Sequence, residues 1–114
     1  MDYEKTMTQL ILHGGNARGA AYEALDAAEE KDFETAESKL EEADQEFVEG
    51  HKWQTDLISN QNSEEAQSPS FFMVHAQDHL MTAQAELGLI KRLIKQIENT
   101  EKLEERIKKV EKNE

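Results

Sequence analysis

Proline occurs once in this chain, at Pro69, inside the polar run NQNSEEAQSPS at 60 to 70. Proline fixes φ and removes an amide donor, so it breaks helices wherever it falls in their interior. Confining it to one segment leaves the rest of the 114 residues free to form long helices. Ala, Glu, Leu, Lys and Gln, which favour that state, dominate elsewhere.

The apolar spacing predicts three helices. Helix one spans about 3 to 30, with Leu10, Ala17, Ala20, Ala21, Ala24 and Ala28 recurring on one slim face. Gly14, Gly15 and Gly19 are expected where two helices approach too closely for a larger side chain. No strand precedes them, so a phosphate-cradling loop is excluded. Asp32 is placed to accept from the free amides of the next helix as its N-cap. Helix two runs about 32 to 59, and Phe33, Ala36, Leu40, Ala43, Phe47, Gly50, Gln54 and Leu57 advance along it in steps of three and four. Residues 60–69 lack periodicity and read as a surface loop. Helix three follows at about 70 to 110. The fold class is therefore all-α, a single domain built as an antiparallel three-helix bundle.

Helix three carries more apolar surface than such a bundle can cover. Phe72, Ala76, Leu80, Ala83, Leu87, Ile90 and Ile94 form one face, while Phe71, Val74, Met81, Ala85 and Leu89, with Asp78 among them, form a stripe on roughly the opposite side. The second stripe continues through Leu93, Gln96, Thr100, Leu103, Ile107 and Val110 at alternating steps of four and three, the pattern of a coiled-coil seam. Self-association through helix three is the expectation.

Charge narrows the partners. With 13 Lys and Arg against 25 Asp and Glu, the formal net charge is -12, which repels phosphate backbones and anionic lipid, and no basic patch with interleaved aromatics occurs. Nucleic acid and membrane surfaces are not expected partners. Cysteine is absent, which excludes disulfides and thiolate metal sites. No apolar run approaches the ~20 residues of a membrane span, and the N-terminus has no signal-peptide pattern. The expected location is the cytoplasm.

The chemistry gathers in HAQDH, residues 75 to 79. His75 and His79 are four residues apart and project from one side of helix three. Three readings are open on spacing alone. The pair can be interface polar groups of a non-catalytic helical adaptor. It is superficially similar to the helix-borne ligands of a metal hydrolase, although that chemistry wants a third protein ligand. Or an imidazole nitrogen takes up a phosphoryl group and passes it on, with Gln77 and His79, from the same chain or across an interface, donating to the phosphoryl oxygens.

The run MVHAQDHLMTA resembles the active-site helix of the enzyme IIA component of the lactose/cellobiose (N,N'-diacetylchitobiose) family of the bacterial sugar phosphotransferase system. GNARGAAYEALDAAEEKDFETAESKLEEADQEFVEGHKWQTDLI is similar to that family's first two helices, and the resemblance extends over about residues 6 to 98. Lys31 stands where the family's turn has glycine, and Gly50 replaces an alanine. The resemblance implies a homotrimer in which His75 receives the phosphoryl group from the phosphocarrier protein HPr and yields it to a cysteine of the cognate enzyme IIB, a phosphotransferase relay in disaccharide uptake. Gln77 and His79 correspond to residues beside the active site. Asp78 corresponds to an aspartate that three subunits bring around a divalent cation on the trimer axis. Three facing carboxylates must share protons or bind a cation, and Mg²⁺ completed by water suits that oxygen set.

Overall fold

Every helix starts where a side chain can take up one of the free amides of the first turn. Asp2 accepts from Lys5 N, Asp32 from Thr35 N, Ser63 from Ala66 N and Ser70 from Met73 N. The computed structural model describes residues 1–113. The helices that follow these caps are α1 (Tyr3–Glu29), α2 (Phe33–Ser59), the single turn α3 (Glu64–Gln67) and α4 (Phe71–Lys112). The segment expected to be loop throughout thus contains one helical turn, capped by Ser63 and tied to α1 by a 2.6 Å hydrogen bond between Tyr3 Oη and Ser63 Oγ.

The chain runs up α1, down α2 and up α4. Ion pairs mark the alignment: Lys39 with Glu23 and Lys91 with Asp44 join antiparallel neighbours, while Arg18 with Glu86 joins the parallel pair α1 and α4. An all-α antiparallel bundle of three long helices results.

Small residues let α1 sit deep between the other two. Ala17, Ala21, Ala24 and Ala28 are fully buried, and Ala20, Ala21, Ala24 and Ala28 form one half of the core with Ala36, Ala43, Leu87, Ile90 and Ile94. The other half gathers Met7, Leu10, Leu57, Met73, Ala76 and Leu80. On α4 the buried face differs from the sequence expectation at one position: Met73 is buried and Phe72 is about half exposed. Met73 lies three residues before Ala76 and seven before Leu80, which keeps it nearer the centre of the stripe than Phe72.

Among the glycines, Gly14 meets the close-approach expectation. A Cβ there would lie 3.2 Å from the His79 carbonyl oxygen and 3.3 Å from Leu80 Cα. Gly15 and Gly19 do not, because a Cβ on either would face open space. Gly50 is the second tight position, where a Cβ would meet Leu80 Cδ1 at 2.7 Å and His13 Cβ at 3.2 Å.

Candidate functional site

The phase of α4 is set by its capped start at Ser70 and by the buried run Met73, Ala76, Leu80, Ala83 and Leu87. At about 100° per residue, that phase puts His75 and His79 on one flank of the helix. Gln77 falls on the other flank, and Asp78 points away from the bundle. Contacts with the neighbouring helices show which flank is which. The His79 carbonyl abuts Gly14 of α1, and two turns further on Arg18 Nε of α1 donates to Glu86 Oε2 at 2.6 Å. Glu86 raises the Arg18 guanidinium above its ordinary value, through that hydrogen bond first and its charge second. The opposite flank belongs to α2, where Gln54 Nε2 donates to Gln77 Oε1 at 3.0 Å.

His75 is exposed. Its ring lies 4.9 Å from that of His79, centroid to centroid and nearly edge-on at 74°, and 6.4 Å from Phe72 at a shallow 24°. Phe72 therefore serves the site as a wall beside the imidazole rather than the core. His79 is half-buried, held where its backbone is pinned against Gly14. An accessible imidazole with a second imidazole at its edge can act as a nucleophile whose product is met by a nearby donor.

Asp78 stands apart from this group. It is exposed and is flanked on the outer face by Phe71, Val74, Met81 and Leu89, all exposed as well. Among the described residues, no three His, Cys, Asp or Glu side chains of one chain converge as a metal site. A lone carboxylate has the right donor chemistry for a hard cation but supplies one ligand, so a cation there needs copies of Asp78 from other chains.

Two polar residues close to the site were given no part in it on sequence alone. Gln54 occupies a position in the α2 apolar stripe yet carries an amide, and it is buried, with 8% of its surface accessible. His13 Nδ1 donates to Glu46 Oε2 at 2.8 Å, bridging α1 and α2 beside Gly50. The legible signal for Gln54 was a polar amide at a core step of the stripe; for His13 there was none.

Comparison with known proteins gives this arrangement its context. The family described as the lactose/cellobiose-specific IIA subunit of the phosphotransferase system matches residues 5–98. The chain belongs to this family. It is a phosphotransferase-system IIA component. The lichenan-specific phosphotransferase enzyme IIA component of Bacillus subtilis is 46% identical over 82 residues, covering 72% of this chain and 74% of that protein. The N,N'-diacetylchitobiose-specific EIIA component of Escherichia coli K12 is 38% identical over 93 residues, covering 82% and 80%. Among solved structures, the cellobiose-specific enzyme IIA of Bacillus anthracis superposes with a TM-score of 0.82 at 35% identity, over 89% of this chain and 93% of that one. The IIA(Chitobiose)-HPr complex of Escherichia coli gives 0.77 at 35% identity, over 89% and 98%. The family match ends at residue 98, well before the end of α4. No helix among the described residues is long and apolar enough to cross a membrane.

Proposed function

We propose that this IIA component carries a phosphoryl group on His75 between HPr and a cognate enzyme IIB during uptake of a disaccharide of the lactose, cellobiose or chitobiose class. Its place of action is the cytoplasm. The observation that carries the assignment is the exposed His75 imidazole with the His79 ring 4.9 Å away, on a fold shared with a IIA protein solved together with HPr.

A nitrogen of the neutral His75 imidazole attacks phosphorus on phosphorylated HPr. The new N–P bond forms as the bond from phosphorus to HPr breaks, and the electron pair of that bond stays with HPr. In the second step the thiolate sulfur of an enzyme IIB cysteine attacks the same phosphorus; an S–P bond forms as the His75 N–P bond breaks, and its electron pair returns to the His75 nitrogen. His79 supplies a donor at the edge of the His75 ring, and Phe72 limits access from one side.

Three copies associate in this reading through the outer stripe of α4. Phe71 is 88% exposed and Leu89 62%, and an exposed apolar stripe of this kind supports an association surface. In a ring of three parallel copies related by rotation, the His75 flank of one chain faces the Gln77 flank of the next. Each phosphoryl site then lies between chains, lined by α1 and His75 of one and by α2 and Gln77 of its neighbour. Asp78, central in the stripe, meets its counterparts at the axis, where a divalent cation such as Mg²⁺ would be held by three carboxylates and water in a structural role.

The test is to incubate the protein with phosphoenolpyruvate, enzyme I and HPr and to follow acid-labile label. Labelling of the parent and none of His75→Ala is expected; persistent label on the variant would remove His75 from the role. A helical adaptor would take up no phosphate at all.

A further inference from the structure

The buried amide of Gln54 has no part in the relay described above, and its contacts determine its orientation. Nε2 lies 3.0 Å from Gln77 Oε1 and 3.7 Å from Met81 Sδ. A thioether sulfur is a weak acceptor and never a donor, so the face of Gln54 turned toward Met81 must be its NH₂ group. The partner oxygen on Gln77 follows from that choice: Gln77 accepts through Oε1, which leaves both its N–H donors free of Gln54.

We infer that Gln54 is a positioning residue for phosphoryl transfer, locking the Gln77 amide with its donors outward, toward the phosphoryl group on His75 of the adjoining chain. The inference rests on the relay and trimer reading above. Gln77 is on the flank of α4 opposite its own His75, about 200° around the helix, so it reaches a phosphoryl group only between chains. An unrestrained glutamine would present its carbonyl oxygen about as readily as its NH₂, and a carbonyl facing a phosphoryl oxygen is repulsive. Fixing the flip before the phosphoryl group arrives is preorganisation. Its source is a buried donor, because Gln54 is shielded from competing water at 8% accessibility. The same shielding keeps Gln54 out of contact with HPr.

The experiment uses the full chain and the purified HPr system. Gln54→Met keeps length and apolar packing but removes the donor. Gln54→Glu offers only acceptors when ionised, so it draws the Gln77 NH₂ group inward. Both variants should lower the limiting rate of uptake from phosphorylated HPr by about tenfold, with the HPr concentration for half-maximal rate unchanged. Gln77→Ala should show the same loss, and Gln54→Met combined with Gln77→Ala should lose nothing more, since the first residue acts through the second. A parent-like rate in Gln54→Met, or losses that multiply in the double variant, would overturn the inference. Should Gln54→Met melt well below the parent, the rate of Gln54→Glu decides alone: a parent-like rate there overturns the inference too. Labelling of His75→Ala would instead bring down the relay reading itself; a blank His75→Ala beside a parent-like Gln54→Met refutes the positioning role only.

Discussion

Lys31 is the one non-glycine residue among those described with a positive φ, at 66°, and its neighbours show why the chain asks for that conformation. Lys31 N donates to Ala28 O and Asp32 N to Ala27 O, both at 2.9 Å, the paired bonds by which a left-handed residue closes a helix end. Glycine does this without a Cβ penalty. Lysine accepts the penalty here and gains contacts with α4, where Nζ reaches Glu101 at 3.1 Å and Glu104 at 3.5 Å. Exposed pairs of this kind contribute little, so Lys31→Gly should raise the melting temperature by a few degrees while Lys31→Ala should lower it; the two melting curves check this. Next to it, the Thr35 side chain and then its amide hold the Asp32 carboxyl below its ordinary range. A depressed folded value means that stabilisation is complete above the unfolded value, about 3.9, and fades as pH falls through the folded one. The melting difference between parent and Asp32→Ala should therefore be full at neutral pH and shrink on acidification below about pH 4. The Asp32 cap was legible in sequence because it depends on one side chain and the turn beside it. Gly15 and Gly19 were misread for the converse reason: whether a glycine meets a neighbour depends on which side of α1 the other helices occupy, and only Gly14 is on it.

At the scale of the element, α4 decides most of the molecule. The seven-residue rhythm that buries Leu80, Leu87 and Ile94 was visible in the sequence, because periodicity is what packing against two helices requires. The exchange of Phe72 for Met73 was not, since near the first turn both residues sit within one step of the stripe and the choice depends on space left by Met7 and Leu57. Gln54 shows a different limit: its place on α2 could be read, but the meaning of its amide required knowing that Gln77 stands 3.0 Å away. Truncating Leu80, which is fully buried, to alanine should cost about 2–5 kcal/mol in urea unfolding. The far end of α4 offers a separate test. Its 42 residues extend about 63 Å at 1.5 Å per residue, against about 40 Å for the 27 residues of α1, so its last turns overhang the bundle with Leu103, Ile107 and Val110 exposed. If the outer seam continues there, Arg106 and Glu111 fall at flanking positions that pair between parallel copies and would clash like-with-like between antiparallel ones. The chain has no cysteine, so Leu103→Cys is a single reporter. It should cross-link chains under mild oxidation, whereas Glu105→Cys, turned away from the seam, should not.

For the whole molecule, the proposed trimer sets an outer apolar stripe against the carboxylate at its centre. A molecule 73 Å long, with the α4 overhang, and 19 Å across leaves Phe71, Val74, Met81, Leu89 and Leu93 in water, while its net charge of -12 opposes bringing copies together. Association of the proposed kind requires apolar burial to outweigh repulsion, and the charge at Asp78 to be met. Three ionised carboxylates in one seam repel unless a cation or protons intervene. If the proposed axial cation is bound, a chelator should lower the melting temperature of the parent and make melting depend more steeply on protein concentration, because dissociation becomes part of unfolding. Asp78→Leu replaces the carboxylates by side chains that pack, and apolar replacement of buried charge is often neutral or stabilising. That variant should bind no divalent cation, lose all sensitivity to the chelator and sediment as a trimer at concentrations where the chelated parent does not. Sedimentation of Asp78→Leu as monomers would mean that the outer stripe alone cannot hold three chains, and that the proposed axial cation is the main source of assembly rather than the means of neutralising it.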